Sequence, residues 1–196
     1  MRAAVVKLGE YLWRPMTSSD ADANFVVALR NTERFRAMFY NSAPITPETH
    51  RRFVDASNKR GDINWLIERD GKPVGISSVY NIDIVNRKAE CGRIAALEPK
   101  AFQLNWVVSA HVARERLDFN KLYIETLEEN QIIARGVERM GMVREALLRH
   151  HVVRDGVPLN VLLFTNLRHE WDAMRAQVYQ RWGTPQIISW EDDGLN

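Results

Sequence analysis

The spacing of hydrophobic positions changes several times along the chain, and each change marks an element. Glu10 to Arg14 reads as extended. Thr17, Ser18, Ser19 and Asp20 then offer N-caps for a helix through ANFVVALRN, and a second helical piece, ERFRAMFY, ends near Asn41-Ser42. Pro44 and Pro47 bracket a third helix, with Thr46 as its cap and Pro47 in the first turn, where a missing N–H costs nothing. From Ile63 to Arg69 the pattern becomes that of a strand. Asp70-Gly71 is a strong hairpin signal, and Pro73 to Ile84 returns as the next strand. Asn86-Arg87-Lys88 turns the chain again, into AECGRIAAL. Phe102, Trp106, Ala110, Ala113 and Leu117 then follow helical spacing from Ala101 onward. A short strand, KLYIETL, precedes a helix through IIARGVERM that Gly141 closes. VREALLRHHVV and VPLNVLLFTNL flank the turn Arg154-Asp155-Gly156. After Trp171 the polar helical stretch DAMRAQVYQRW runs to Gly183-Thr184-Pro185, and QIISWEDDGLN ends the chain as a docked strand or a loose tail.

This order predicts an α+β (mixed α/β) fold, a sheet of antiparallel hairpins with one helical crossover. The crossover from Ala101 to Leu117 returns the chain to a strand parallel to the one it left. A helix that starts directly after a strand can turn its N-terminus toward an anionic ligand. Residues 1–171 read as one unit and residues 172–196 as a C-terminal helix and tail.

Composition narrows the function classes. The 196 residues are 45% hydrophobic and 27% charged, as in ordinary globular domains, so disordered and coiled-coil classes are excluded. A formal net charge of +2 is too small for a broad nucleic-acid footprint. No apolar run approaches the roughly 20 residues that span a bilayer, and Lys7 interrupts the N-terminal run before it reaches signal-peptide length. The single cysteine, Cys91, fits a reducing compartment, so a cytoplasmic protein with no nucleic-acid or membrane partner is expected. No H-x-H or H-E-x-x-H spacing occurs, and His169-Glu170 lacks a second His at position 173, so no metal is expected. His150 and His151 alternate faces of a strand, so at most one of them points into a cleft.

Three stretches carry a family resemblance. ENQIIARGVERMGMVREALLRHHVVRDG places Asn130, Glu138, Arg139, Gly141, Met142, Val143 and Glu145 in the pattern of an Asn, then a helix ending in E-K-x-G-F, then V-x-E-G. NVLLFTNLRHEW is similar to a closing strand followed by L-x-x-E-W. LRNTERFRAMFYNSAPITPETHRRFVD, with YNIDIVNRKAECGRI, holds an R-N, a Y-N-S and an E-x-H. Over roughly residues 10 to 171 the chain resembles the GNAT superfamily of acyl-CoA-dependent N-acyltransferases. Its closing strand is similar to that of the ribosomal-protein N-terminal acetyltransferases. Its N-terminal half looks most like the nucleotide-amino-sugar enzymes, such as that of the pseudaminic-acid pathway.

The resemblance implies a GNAT fold: a mixed, mostly antiparallel twisted sheet of about six to seven strands flanked by about four helices, plus a C-terminal extension. Acetyl-CoA would lie as cosubstrate in a cleft between the fourth and fifth strands, and a small-molecule amine would reach it from the first helices. Glu90 is then the base; the alternative is an edge-of-strand charge facing Lys88 or Arg87. Arg30, Tyr40, Asn41 and His50 would bind the acceptor, the alternative for the last three being capping and packing. Asn130 and Arg135 would meet the cofactor; otherwise Asn130 caps its helix and Arg135 is solvated. Ala95, Leu97, Lys100, Ala101, Phe102 and Gln103 span the segment that would meet the pyrophosphate. That segment reads LEPKAFQLNW in place of the family's glycine-bearing Q/R-x-x-G-x-G/A. Val137 and Ile133 stand where relatives carry a proton-donating Tyr or Ser. Cys91 reads as a buried small hydrophobe. Two functions remain: an N-acetyltransferase acting on an amino sugar or a peptide N-terminus, or a degenerate relative that only binds a ligand or partner. The resemblance also leaves room for a homodimer.

Overall fold

Turn chemistry sets the register of the sheet. Asp70 and Gly71 both take positive φ, 52° and 71°, the backbone of the tight hairpin turn, and they join strands β3 (Ile63–Arg69) and β4 (Lys72–Asp83). The computed structural model of the chain describes residues 2–192. Before β3 come β1 (Arg2–Leu8), β2 (Tyr11–Pro15), α1 (Asp20–Arg30), α2 (Glu33–Arg36) and α3 (Pro47–Lys59). After β4 come β5 (Lys88–Ala96), α4 (Pro99–Glu115), β6 (Lys121–Leu127), α5 (Gln131–Arg139), β7 (Val143–Arg154), β8 (Val157–Leu167), α6 (Arg168–Trp182) and β9 (Gln186–Asp192). The strands form one nine-stranded sheet in the order β7-β8-β6-β5-β4-β3-β2-β1-β9.

The mixed, mostly antiparallel class holds, but the sheet is wider than expected. The first strand read from the pattern begins at Glu10, and β1 is added before it. Ala4, Val6 and Leu8 are buried, and Trp65 Nε1 donates to the Ala4 carbonyl at 2.8 Å. The C-terminal segment docks as β9 on β1. The helical piece expected to run from Glu33 toward Asn41 stops at Arg36. Beyond it, Arg36 Nε donates to the Ser42 carbonyl at 2.6 Å and Tyr40 reaches β6. The third helix begins as expected, with Thr46 and Thr49 capping each other reciprocally.

The crossover has the expected consequence. β5 and β6 run parallel but pair only at Lys88/Lys121, Ala89/Leu122 and Glu90/Tyr123, and then separate. β5 also bulges: its pairing with β4 passes from Gly92/Ser78 to Ala95/Ile76, so Arg93 and Ile94 together face Ser77. Gly92 is required at this point, because a Cβ there would lie 2.9 Å from the Tyr80 hydroxyl. Past Glu90, β5 therefore has β4 on one side and an open edge on the other.

Trp13, Trp65, Phe119, Phe164 and Trp171 fill the main core. Trp13 Nε1 donates to Asn105 at 3.0 Å and ties β2 to α4. Helix α6 lies on α4, with Trp171 edge-on to Trp106 and Tyr179 Oη 2.6 Å from His111 Nδ1. It carries the chain from β8 near one sheet edge to β9 at the other. Among the described residues no helix is long and apolar enough to cross a membrane.

Candidate active site

Where β5 and β6 part, a cavity of about 600 Å³ opens, bounded by α1, α3, the segment after α2, and α5. Glu90, the last β5 residue paired to β6, is 6% exposed and faces this space. Its carboxylate accepts from the Tyr80 hydroxyl and from Asn81 Nδ2, the latter at 2.8 Å. Burial pushes the Glu90 carboxyl above the usual carboxylate range; the Tyr80 bond opposes this shift, and the nearby Glu125 charge adds to it. Burial beside Glu90 likewise raises the Tyr80 phenol. Across the wedge on β6, Glu125 accepts from Tyr40 Oη at 3.0 Å, and His151 Nε2 approaches it at 3.6 Å. Tyr40 belongs to a segment pinned over the site: Arg154 donates to the Ala37 carbonyl and Ser42 to Asp155, both at 3.1 Å.

The opposite wall is cationic. The Arg30 guanidinium lies 3.2 Å from the centroid of the Phe39 ring, and its buried Nη1 has no hydrogen-bond partner among the described residues. Burial pushes Arg30 down to about 10. His50 is 5% exposed, its Nε2 is also partnerless, and burial holds its pKa below the ordinary imidazole value. Arg93 differs: it stacks 3.6 Å over Tyr80 and donates to Asp62 at 3.2 Å. A buried polar atom without a partner is costly, so Arg30 and His50 mark where a ligand would supply hydrogen-bond partners, acceptors in the case of Arg30.

A second space, about 820 Å³, lies between α4, α5, α6 and α2. It shares Ile94, Phe102, Trp106, Ile133, Met140 and Met38 with the first, so the two meet around Phe102. The passage fits an acyl-pantetheine arm: apolar at the neck, open to the surface, and ending beside the unpaired β5 edge. At the start of α4, the N-cap residue Glu98 gives the first turn no side-chain bond. Its carboxylate is drawn away by Tyr11 Oη at 2.6 Å and Arg69 at 2.8 Å. Bound there, acetyl-CoA would supply the activated acetyl group. Glu90 is placed to take a proton from an ammonium, and the open β5 edge can donate N–H groups to a developing oxyanion.

Of the residues singled out from sequence, Arg30, Tyr40, Asn41, His50, Glu90 and Asn130 line the first space, Phe102 lines both, and Ala95 and Gln103 line the second. Glu90 faces inward, not toward Lys88 or Arg87. Asn130 also caps α5, accepting from Ile133 N at 3.4 Å, and Asn41 accepts from Ala43 N at 2.9 Å. The others lie outside both linings. Lys100 donates to Glu10 at 3.1 Å, Ala101 is buried in the core, and Leu97 and Arg135 are exposed. The helix begins at Pro99, which puts Lys100 and Ala101 in its first turn. Ile133 and Val137 do reach the first space, where they offer no proton. Cys91 is buried, which pushes its thiol up to about 12 and makes it a poor nucleophile. Sequence reading missed Glu125, Tyr80, Asn81 and the contribution of α6. A carboxylate inside the short strand after the crossover was the available signal for Glu125.

Comparison with known proteins agrees with this geometry. The chain is 25% identical over 179 residues to the "Putative ribosomal N-acetyltransferase YdaF" of Bacillus subtilis (strain 168), covering 85% of this chain and 96% of that protein. It superposes on a GCN5-related N-acetyltransferase from Brucella melitensis with a TM-score of 0.78 at 21% identity, covering 92% of this chain and 85% of the other. The spermidine N-acetyltransferase of Vibrio cholerae, solved with CoA and spermine, gives 0.73 at 16% identity, covering 83% and 98%. Residues 12–143 match the acetyltransferase (GNAT) domain, and the chain therefore belongs to that family of acetyl-CoA-dependent N-acetyltransferases.

Proposed function

We propose that this chain transfers the acetyl group of acetyl-CoA to the primary amine of a nucleotide-linked amino sugar. The observation that carries the acceptor class is the buried Arg30 guanidinium, partnerless at Nη1, in a cavity whose carboxylates are bonded elsewhere. Glu90 and Glu125 suit the amine end of the acceptor, and Arg30 with His50 suits a phosphate-bearing end. A polyamine brings only cations, which Arg30 repels. A peptide N-terminus, the alternative acceptor, brings carbonyl oxygens, weaker partners for a guanidinium than phosphate. In the reaction the ammonium gives its proton to Glu90, directly or through water. Nitrogen bonds the acetyl carbon, the C–S bond breaks, the thiolate leaves, and the nitrogen sheds its second proton to water to give the neutral amide. With a thiol pKa near 8.5, that thiolate can take its proton from water, so Val137 and Ile133 do not forbid turnover.

A thiol-release assay with a nucleotide-linked amino sugar, spermidine and a short peptide tests this reading. The sugar nucleotide is expected to be acetylated with the highest kcat/KM. Preference for spermidine or the peptide would overturn the acceptor assignment, and no thiol release from a panel of amines would favour a protein that only binds.

A further inference from the structure

The groove leading to Phe102 is lined by Arg34 of α2, Arg139 of α5 and Arg181 of α6, and among the described residues by no aspartate or glutamate. The chain as a whole carries 27 basic against 25 acidic residues, so such a one-sided lining is not a consequence of composition. None of the three arginines has an ion pair among the described residues. Arg34 and Arg181 lie instead over the rings of Phe35 and Trp182, at 5.1 and 4.7 Å. Each sits in the last turn of its helix, where the dipole favours a cation, and that accounts for each arginine singly. It does not account for three helices from distant parts of the chain directing them into one groove. Meanwhile Lys100, which would take the phosphate-facing slot by counting from the strand, is engaged by Glu10.

We propose that Arg34, Arg139 and Arg181 hold the phosphates of coenzyme A, so that the C-terminal helix α6 is part of the cosubstrate site. The inference rests on the acetyl-CoA reading. Coenzyme A carries a diphosphate and a 3′-phosphate, and guanidinium groups bind such oxygens through paired N–H donors. Phosphate binding by side chains from three helices removes the need for backbone to approach the diphosphate closely. Glycines at the start of α4 then become dispensable, and Pro99, Lys100 and Ala101 can stand there.

Calorimetry on the full chain, titrating coenzyme A, dephospho-coenzyme A and phosphate-free pantetheine, tests the proposal. R181E, R139E and R34E are each expected to weaken coenzyme A on the order of tenfold or more while leaving pantetheine unchanged. The wild-type affinity should also fall as salt rises. All three side chains are exposed, so the melting temperature should fall by no more than the few degrees that a reversed charge at a helix C-terminus costs, and R181Q provides a milder check. Unchanged coenzyme A affinity in all three variants overturns the proposal while the acetyltransferase reading stands. An equal loss on pantetheine, or a loss confined to K100E, overturns it as well. A folded wild type that binds no coenzyme A overturns both.

Discussion

The two spaces that meet at Phe102 are built on opposite plans. In the acceptor cavity the carboxylates are already bonded by the protein: Glu90 by Tyr80 and Asn81, Glu125 by Tyr40. In the groove two of the arginines lean on aromatic rings, and among the described residues no acid lines it. A catalytic group must be held in geometry before the substrate arrives, because reorganisation during the reaction raises the barrier. A group that only binds can be left for its ligand to order. Arg30 is the exception inside the cavity: a cation buried like the chemistry but unpaired like the groove, and for that reason it is assigned to the acceptor.

The sharpest way to break this contrast is at Glu90. E90Q keeps the shape and the Asn81 contact but cannot take a proton. It is expected to lower kcat by about 10² to 10⁴ and leave coenzyme A affinity unchanged by calorimetry. A kcat within a few-fold of wild type would remove Glu90 from the chemistry. Next in size is R30Q, which separates the two kinds of cation. It should lower kcat/KM for a phosphate-bearing acceptor roughly ten- to a hundredfold. Turnover of a small amine without phosphate should hardly change. Equal losses on both acceptors would mean that Arg30 only packs.

A smaller effect should appear in the pH profile. With Glu90 as the proposed base, its deprotonated form is the active one; burial first of all raises its pKa, so activity is expected to fall at a pH above the ordinary carboxylate range as acid is added. Tyr80 donates to the charged carboxylate and holds that pKa down; in Y80F the acid limb should move further upward. For stability the sign is opposite. A carboxyl raised in the folded state favours folding below its unfolded pKa, and this contribution is lost as pH rises through the folded value. Measured as kcat/KM against pH, an acid limb that stays put in Y80F would show that another group sets it.

Much of the scaffold was legible because its signals are local. Asp70-Gly71, Thr46 with Pro47, and Gly141 each specify a turn or cap from neighbouring residues alone, and each lies where expected. Glu90 was legible through resemblance, but its bonds to Tyr80 and Asn81 were not, because they depend on how β5 pairs with β4. Glu125 stayed hidden because its strand shows only that it is a strand; its meaning comes from Tyr40, 85 positions away. The same holds for the arginines. In sequence Arg34, Arg139 and Arg181 look like solvated helix ends, and only the placement of α6 across α4 sets them around one groove. β1 and β9 went unread or undecided because each is completed by the other, from opposite ends of the chain.

The smallest effect expected bears on the wall between the two spaces. Gly136 sits inside α5, among the residues lining the groove, and a Cβ built on it would meet only Phe102 Cε1, at 3.7 Å, an ordinary van der Waals distance. Glycine in a helix interior costs about 0.5–1 kcal/mol relative to alanine. G136A should therefore raise the melting temperature by a few degrees, about 2–4 °C per kcal/mol for a chain of this size. Because the new methyl touches Phe102 without displacing it, kcat and coenzyme A affinity should stay within about twofold. A thermal melt combined with one Michaelis curve decides the matter. If G136A gains stability and loses coenzyme A, the neck needs Phe102 to swing toward α5 when the pantetheine arm passes, and the division between a pre-ordered cavity and a ligand-ordered groove then runs through that ring.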